Sequence, residues 1–212
     1  SVEKIKHFVS KEAFNIDGFG KKIVEGFWKI KLIKYPQDIF KLDYNKIESL
    51  EGWGKLSVEN LKFSINEKKN ISLERFIYSL GIRHIGLENA KLLSKHFASF
   101  SEFKNLSKQT NFEDLLNIDG IGETQVNSIK SFFSNEANKK VLNELEKVLL
   151  IKDANLILDD GLLKNKTFLV TGKLDGISRA EVKSLIEENS GKTISSVSKK
   201  LNFLIVGEKP TK

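Results

Sequence analysis

The ten residues NIDGFGKKIV at 15–24 return almost unchanged as NIDGIGETQV at 117–126, with two looser copies between them, SLEGWGKLSV at 49–58 and GIRHIGLENA at 81–90. A phrase used four times constrains a fold strongly, because each copy has to form the same local structure. Aligned on the last glycine, the copies read apolar, any residue, Gly or His, apolar, Gly, three variable residues, then Val or Ala. The aligned glycines are Gly20, Gly54, Gly86 and Gly122, spaced by 34, 32 and 36 residues. A short amphipathic segment precedes each copy (EKIKHFVSKEAF, YNKIESL, LERFIYSL, NFEDLLNI) and a longer one follows. In the longer segments Val58, Leu61 and Ile65 share one helical face, as do Ala90, Leu93 and Phe97, and Val126, Ile129 and Phe133. The predicted unit is a helix, a tight Gly-x-Gly corner and a second helix.

Residue type explains the corner. Glycine tolerates positive φ and keeps no side chain between the backbone and a ligand, which suits Gly18, Gly20, Gly52, Gly54, Gly86, Gly120 and Gly122. The apolar residue between the glycines (Phe19, Trp53, Ile85, Ile121) can pin the corner to a core, and the Val or Ala beyond it lets two helices cross closely. The second helix starts at the corner, so its unpaired N–H groups and positive dipole end face outward as an anion site. Lys21, Lys22 and Lys55 stand at the helix starts of the first two copies; the third has Arg83 and replaces its first glycine with His84. His84 fits two readings, a phosphate donor when protonated or a turn filler. The fourth copy has Glu123, which repels phosphate, so copies one to three are expected to carry more of the binding and copy four to serve mainly as a packing partner, with Gly120 and Gly122 still among the backbone-binding candidates. One such corner could be a mere helix connection; four in register, on a chain of net charge +7 and pI about 9.3, point to a polyanion.

Composition excludes other chemistry. With no Cys there is no disulfide, thiol catalysis or cysteine zinc site. No apolar run approaches the roughly 18 residues of a membrane span, and SVEKIKHFVS has no signal-peptide core, so a cytoplasmic location is expected. His7 and His96 lack neighbours at metal-ligand spacing and are expected to be packing or surface residues. The missing Met and the abrupt C-terminus lead to the expectation of a fragment.

Near residue 150 the helical rhythm stops. Residues 1–150 are assigned to the helical domain, 151–163 to a linker and 164–212 to a different domain. There TFLVTG reads as a strand buried on both faces. SRAEVKSLIEENSG reads as a helix with a Ser178–Glu181 capping box, an apolar stripe of Val182, Leu185 and Ile186, and a stop at Gly191. KTISSVS and LNFLIVG read as further strands. KLDG at 173–176 matches the Lys-x-Asp-Gly of nucleotidyltransferases, but only 36 residues follow Gly176, too few to build a pocket that activates a lysine. No catalytic residue and no metal ligand is assigned.

The four corners resemble the helix–hairpin–helix motif of DNA-binding proteins, whose hairpin amides hold phosphates across the minor groove. VTGKL, SRAEVKSLIEENSGK and VSKKLNFLIVGEK resemble a BRCT domain that stops before its usual last elements. Thr171 and Gly172 match the turn that forms half of a phosphate pocket in some members; the other half is not in the chain, and phosphopeptide binding is not expected. The order of the parts, with HFVSKEAFNIDGFGKKIVEGF, FIYSLGIRHIGLENAKLL and FLVTGKL, resembles the C-terminal part of bacterial NAD-dependent DNA ligases. The fold implied is mainly α, a tandem of four hairpins followed by a small truncated α/β domain. The function implied is to hold duplex DNA, nicked in the enzyme's reaction, without sequence preference. No cofactor is expected in this chain; NAD, Mg and Zn belong by resemblance to the parent enzyme, whose upstream catalytic domains would be partners. The alternative is a non-enzymatic architectural module for branched or damaged DNA.

Overall fold

The computed structural model describes residues 1–154 and 161–209. The chain divides into two compact units, with the boundary between Ala154 and Asn155.

The first unit is helical. Its elements are α1 (Val2–Phe8), α2 (Lys21–Lys29), α3 (Tyr44–Glu48), α4 (Lys55–Glu67), β1 (Asn70–Ser72), α5 (Leu73–Ser79), α6 (Leu87–Phe97), α7 (Phe100–Asn105), α8 (Glu123–Phe133), α9 (Glu136–Glu146) and β2 (Leu150–Lys152). Short 3-10 turns cover Pro36–Lys41, Leu106–Lys108 and Glu113–Asn117. The repeat predicts the layout: each corner joins a short helical segment to α2, α4, α6 or α8. The fourth copy differs, because its leading segment Glu113–Asn117 is a 3-10 turn. One continuous core contains Val58, Leu61, Ile65, Ala90, Leu93, Val126, Ile129 and Phe133, the residues assigned to the inner helical faces, while Phe97 is half-buried at its edge. Phenylalanines dominate it: Phe8 stacks on Phe14 at 4.2 Å, and Phe103 meets Phe133 edge-on at 5.3 Å.

Polar contacts tie distant segments together. Arg75 of α5 donates from Nε to the Ala13 carbonyl (2.8 Å) and from Nη2 to the Lys11 carbonyl (2.9 Å). His7 Nε2 pairs with the Tyr78 carbonyl at 2.8 Å, a packing role as expected. Glu144 of α9 binds Lys147 at 2.5 Å and Lys41 at 2.6 Å.

Sequence patterning did not reveal the parallel pair β1–β2, in which Asn70, Ile71 and Ser72 face Leu150, Ile151 and Lys152. Residues 151–154, placed in the linker by the sequence reading, therefore continue the helical unit. Residues 155–160 of that linker lie outside the described residues.

The second unit contains β3 (Thr167–Thr171), α10 (Arg179–Glu188), β4 (Lys192–Thr193) and β5 (Phe203–Val206), with all strands parallel in the order β4-β3-β5. The Ser178–Glu181 capping box forms as predicted, at 2.8 and 3.1 Å. Four details correct the sequence reading. β3 alternates, with Phe168 and Val170 buried and the residues between them partly exposed, so it is covered on one face and not two. Leu185 is 49% exposed and leaves the stripe to Val182 and Ile186, because it points away from the sheet. Of KTISSVS, only Lys192 and Thr193 pair as a strand. The helix stop puts the left-handed φ at Ser190 (67°); Gly191 is needed for space, since a Cβ there would lie 2.6 Å from Ile186 Cγ2.

Candidate nucleic-acid interface

The four corners close with one hydrogen-bond pattern. The amides of Phe19, Trp53, Ile85 and Ile121 donate to the carbonyls of Ile16, Leu50, Ile82 and Ile118, at 3.2, 3.1, 3.1 and 3.0 Å. Each is a four-residue turn whose third residue has positive φ: Gly18 71°, Gly52 82°, His84 63° and Gly120 90°. This settles the role of the first glycine, which supplies a left-handed conformation. His84 holds the same conformation without being glycine, helped by Asn89, which donates from Nδ2 to the His84 carbonyl at 3.0 Å. Phe19, Ile85 and Ile121 are buried and Trp53 is half-buried, pinning each corner as predicted. Phe27 joins the first two corners, packing on Phe19 at 5.7 Å and on Trp53 at 5.5 Å.

The second glycines act differently. Gly20, Gly54, Gly86 and Gly122 are the N-caps of α2, α4, α6 and α8, with φ of −76°, −117°, −85° and −109°, which any residue adopts. A Cβ on Gly20, Gly54 or Gly86 would meet nothing within 4 Å. Among the described residues, no side chain caps α2, α4 or α6. Ser, Thr, Asp or Asn would stabilise these helix starts better, so glycine there is not explained by the fold. It leaves the first-turn amides bare. The twelve residues singled out by sequence (Gly18, Gly20, Lys21, Lys22, Gly52, Gly54, Lys55, Arg83, His84, Gly86, Gly120 and Gly122) all lie at the corners and are all exposed.

Corner four is occupied by its own chain. Gln125 Oε1 accepts from the Gly122 amide at 3.1 Å, and a Cβ on Gly120 would lie 2.8 Å from Leu92 Cδ1 of α6. With Glu123 in the first turn of α8, this corner has an internal use for its glycine and its amide. The sequence reading missed Gln125, although a glutamine three residues past an N-cap is half of a capping box. It also passed over the second turn position, which is Asp17, Glu51 and Asp119 in three corners and Arg83 in the third. At corner one this carboxylate is exposed and folds back on its own turn, with Asp17 Oδ1 accepting from the Gly18 amide at 3.0 Å.

Three exposed corners therefore combine bare helix-start amides with Lys21 and Lys22, Lys55, or Arg83 and His84. That arrangement suits phosphate oxygens. Among the described residues there is no group of three or more His, Asp or Glu that could hold a metal, and no helix is long and apolar enough to cross a membrane.

Residues 75–142 match the helix-hairpin-helix motif family, and residues 159–212 match the BRCA1 C Terminus (BRCT) domain family. The chain is 72% identical over 211 residues to a DNA ligase of Pelagibacter ubique (strain HTCC1062), covering 100% of this chain and 31% of that protein. It is 45% identical to a DNA ligase of Ehrlichia canis (strain Jake), over 99% of this chain and 32% of the relative. A DNA ligase of Wolbachia pipientis subsp. Culex pipiens (strain wPip) is 43% identical, over 99% of this chain and 33% of its own length. The chain thus spans about a third of the curated relatives it matches.

Proposed function

Taking the chain as the C-terminal part of a DNA ligase, we propose that its helical unit holds duplex DNA by the phosphate backbone in the minor groove, without regard to sequence. The four corners are four hairpin units. Corners one to three hold phosphate and corner four packs. Such a grip suits an enzyme that must seal nicks in any sequence, because backbone contacts position a duplex without reading it. Contacts on both sides of a nick would keep its ends aligned for the joining step. The whole enzyme would use NAD, Mg and zinc in its upstream domains, and the 212 residues alone would not seal a nick.

The observation that carries this reading is the bare N-cap glycine at Gly20, Gly54 and Gly86, unexplained by internal packing. The test exploits it. Gly20→Asp/Gly54→Asp provides a side chain that caps α2 and α4 from within. The double variant should be at least as stable as the parent, since Asp is a better N-cap than Gly by a few tenths of a kcal/mol. It should bind mixed-sequence duplex at least tenfold more weakly. In the parent, log K should fall steeply with log salt, by about 0.9 per phosphate contacted. A flat salt response, or a folded double variant with parental affinity, would refute the proposal.

A further inference from the structure

Burying a leucine stabilises a fold, so a leucine left in water contributes little to folding. Leu56 is 70% exposed, the highest value among the large apolar residues described in the helical unit, and Leu87 is 41% exposed. One such residue means little, since isolated surface leucines are common. These two share a location. Leu56 is the second residue of α4 and Leu87 the first of α6, two residues and one residue past the N-cap glycines Gly54 and Gly86, where an added Cβ would meet nothing within 4 Å. Every Cα–Cβ bond in a helix tilts toward its N-terminus. Both side chains therefore lean the same way as the unpaired amides. Whatever those amides hold, the leucines meet beside it.

Beside a phosphate on the minor-groove side of a duplex lies deoxyribose, an apolar surface repeated at every nucleotide. We propose that Leu56 and Leu87 pack against the deoxyribose faces that border the phosphates held at corners two and three. This rests on the phosphate-binding reading of those corners and adds to it a sequence-independent apolar contact. Charge supports this occupant over a protein: Lys55 adjoins Leu56 and Arg83 lies in the corner that leads to Leu87, with Glu51 and Glu88 as the acidic groups of the same two copies. Corner four carries Glu123 and Thr124 at the same two positions, in keeping with its lack of a phosphate role.

An apolar contact displaces no counterions, so its signature differs from that of a lysine. Leu56→Ala/Leu87→Ala in the 212-residue chain should bind a nicked, mixed-sequence duplex roughly tenfold more weakly at every salt concentration, the scale of two partly buried side chains. The slope of log K against log salt should not change, nor should the melting temperature. Leu56→Gln/Leu87→Gln, which keeps length and helix propensity, should show the same loss. Leu116→Ala, which removes an exposed leucine at corner four, should bind as the parent does. Parental affinity in the folded double variants would overturn the proposal, as would a changed slope or an equal loss in Leu116→Ala. A flat slope in the parent would overturn the phosphate reading first and the leucine contact with it.

Discussion

At the scale of single residues, the two glycines of each corner do separate jobs. Gly18, Gly52 and Gly120 carry positive φ, whereas Gly20, Gly54 and Gly86 leave amides uncovered. Gln125 shows what happens when a corner covers itself, its oxygen standing 3.1 Å from the Gly122 nitrogen where an external acceptor could sit. Replacing both obstacles, Glu123→Lys/Gln125→Ala, should open the fourth corner and steepen the salt slope for duplex binding by about 0.9, one added phosphate contact. An unchanged slope in the folded variant would mean that corner four does not reach the duplex. The positions of all twelve corner residues were legible in the sequence, because Gly-x-Gly spacing is a local signal. The division of labour between paired glycines was not, since φ at a helix cap depends on where the helix begins. Gln125 left a trace in its spacing, but nothing in the sequence says whether its amide turns inward.

At the scale of elements, α2, α4, α6 and α8 followed from apolar periodicity, whereas β1 and β2 did not. Each strand has three residues, too few to show alternation, and they pair across about eighty residues of chain. The 3-10 turn Pro36–Lys41 is fastened to α9 by Glu144, which is equally invisible in a local pattern. The Lys147 ammonium, then that of Lys41, holds the Glu144 carboxyl down at about 2, against an ordinary value of 4.5. Folding lowers this acid's pKa, so its stabilisation is fully present above about 4.5 and is lost as pH falls toward 2. Because the group is exposed, the effect is small and salt-sensitive. Glu144→Gln should lower the melting temperature slightly at pH 7, and the gap from the parent should close by pH 2; a gap independent of pH would discount the ion pairs.

At the scale of the molecule, the two units are unequal. The helical unit has a continuous core that includes most of its phenylalanines, while the described core of the second unit is Phe168, Val170 and Ile186. In the second unit Phe203, Leu204 and Val206 of β5 are 45%, 51% and 52% exposed. Opening of so small a core costs less than opening the large one. Amides of β3 and β5 should therefore exchange with deuterium well before those of α4, α6 and α8, and equal protection would contradict this. The parallel pairing of β1 with β2 has a mechanical consequence. Traction applied between the N-terminal side of Asn70 and the C-terminal side of Lys152 loads the two strands from opposite ends. Their bonds must then slide and break together and cannot unzip singly, so the stretch bearing corners three and four sits inside a clasp that resists tugging along the chain.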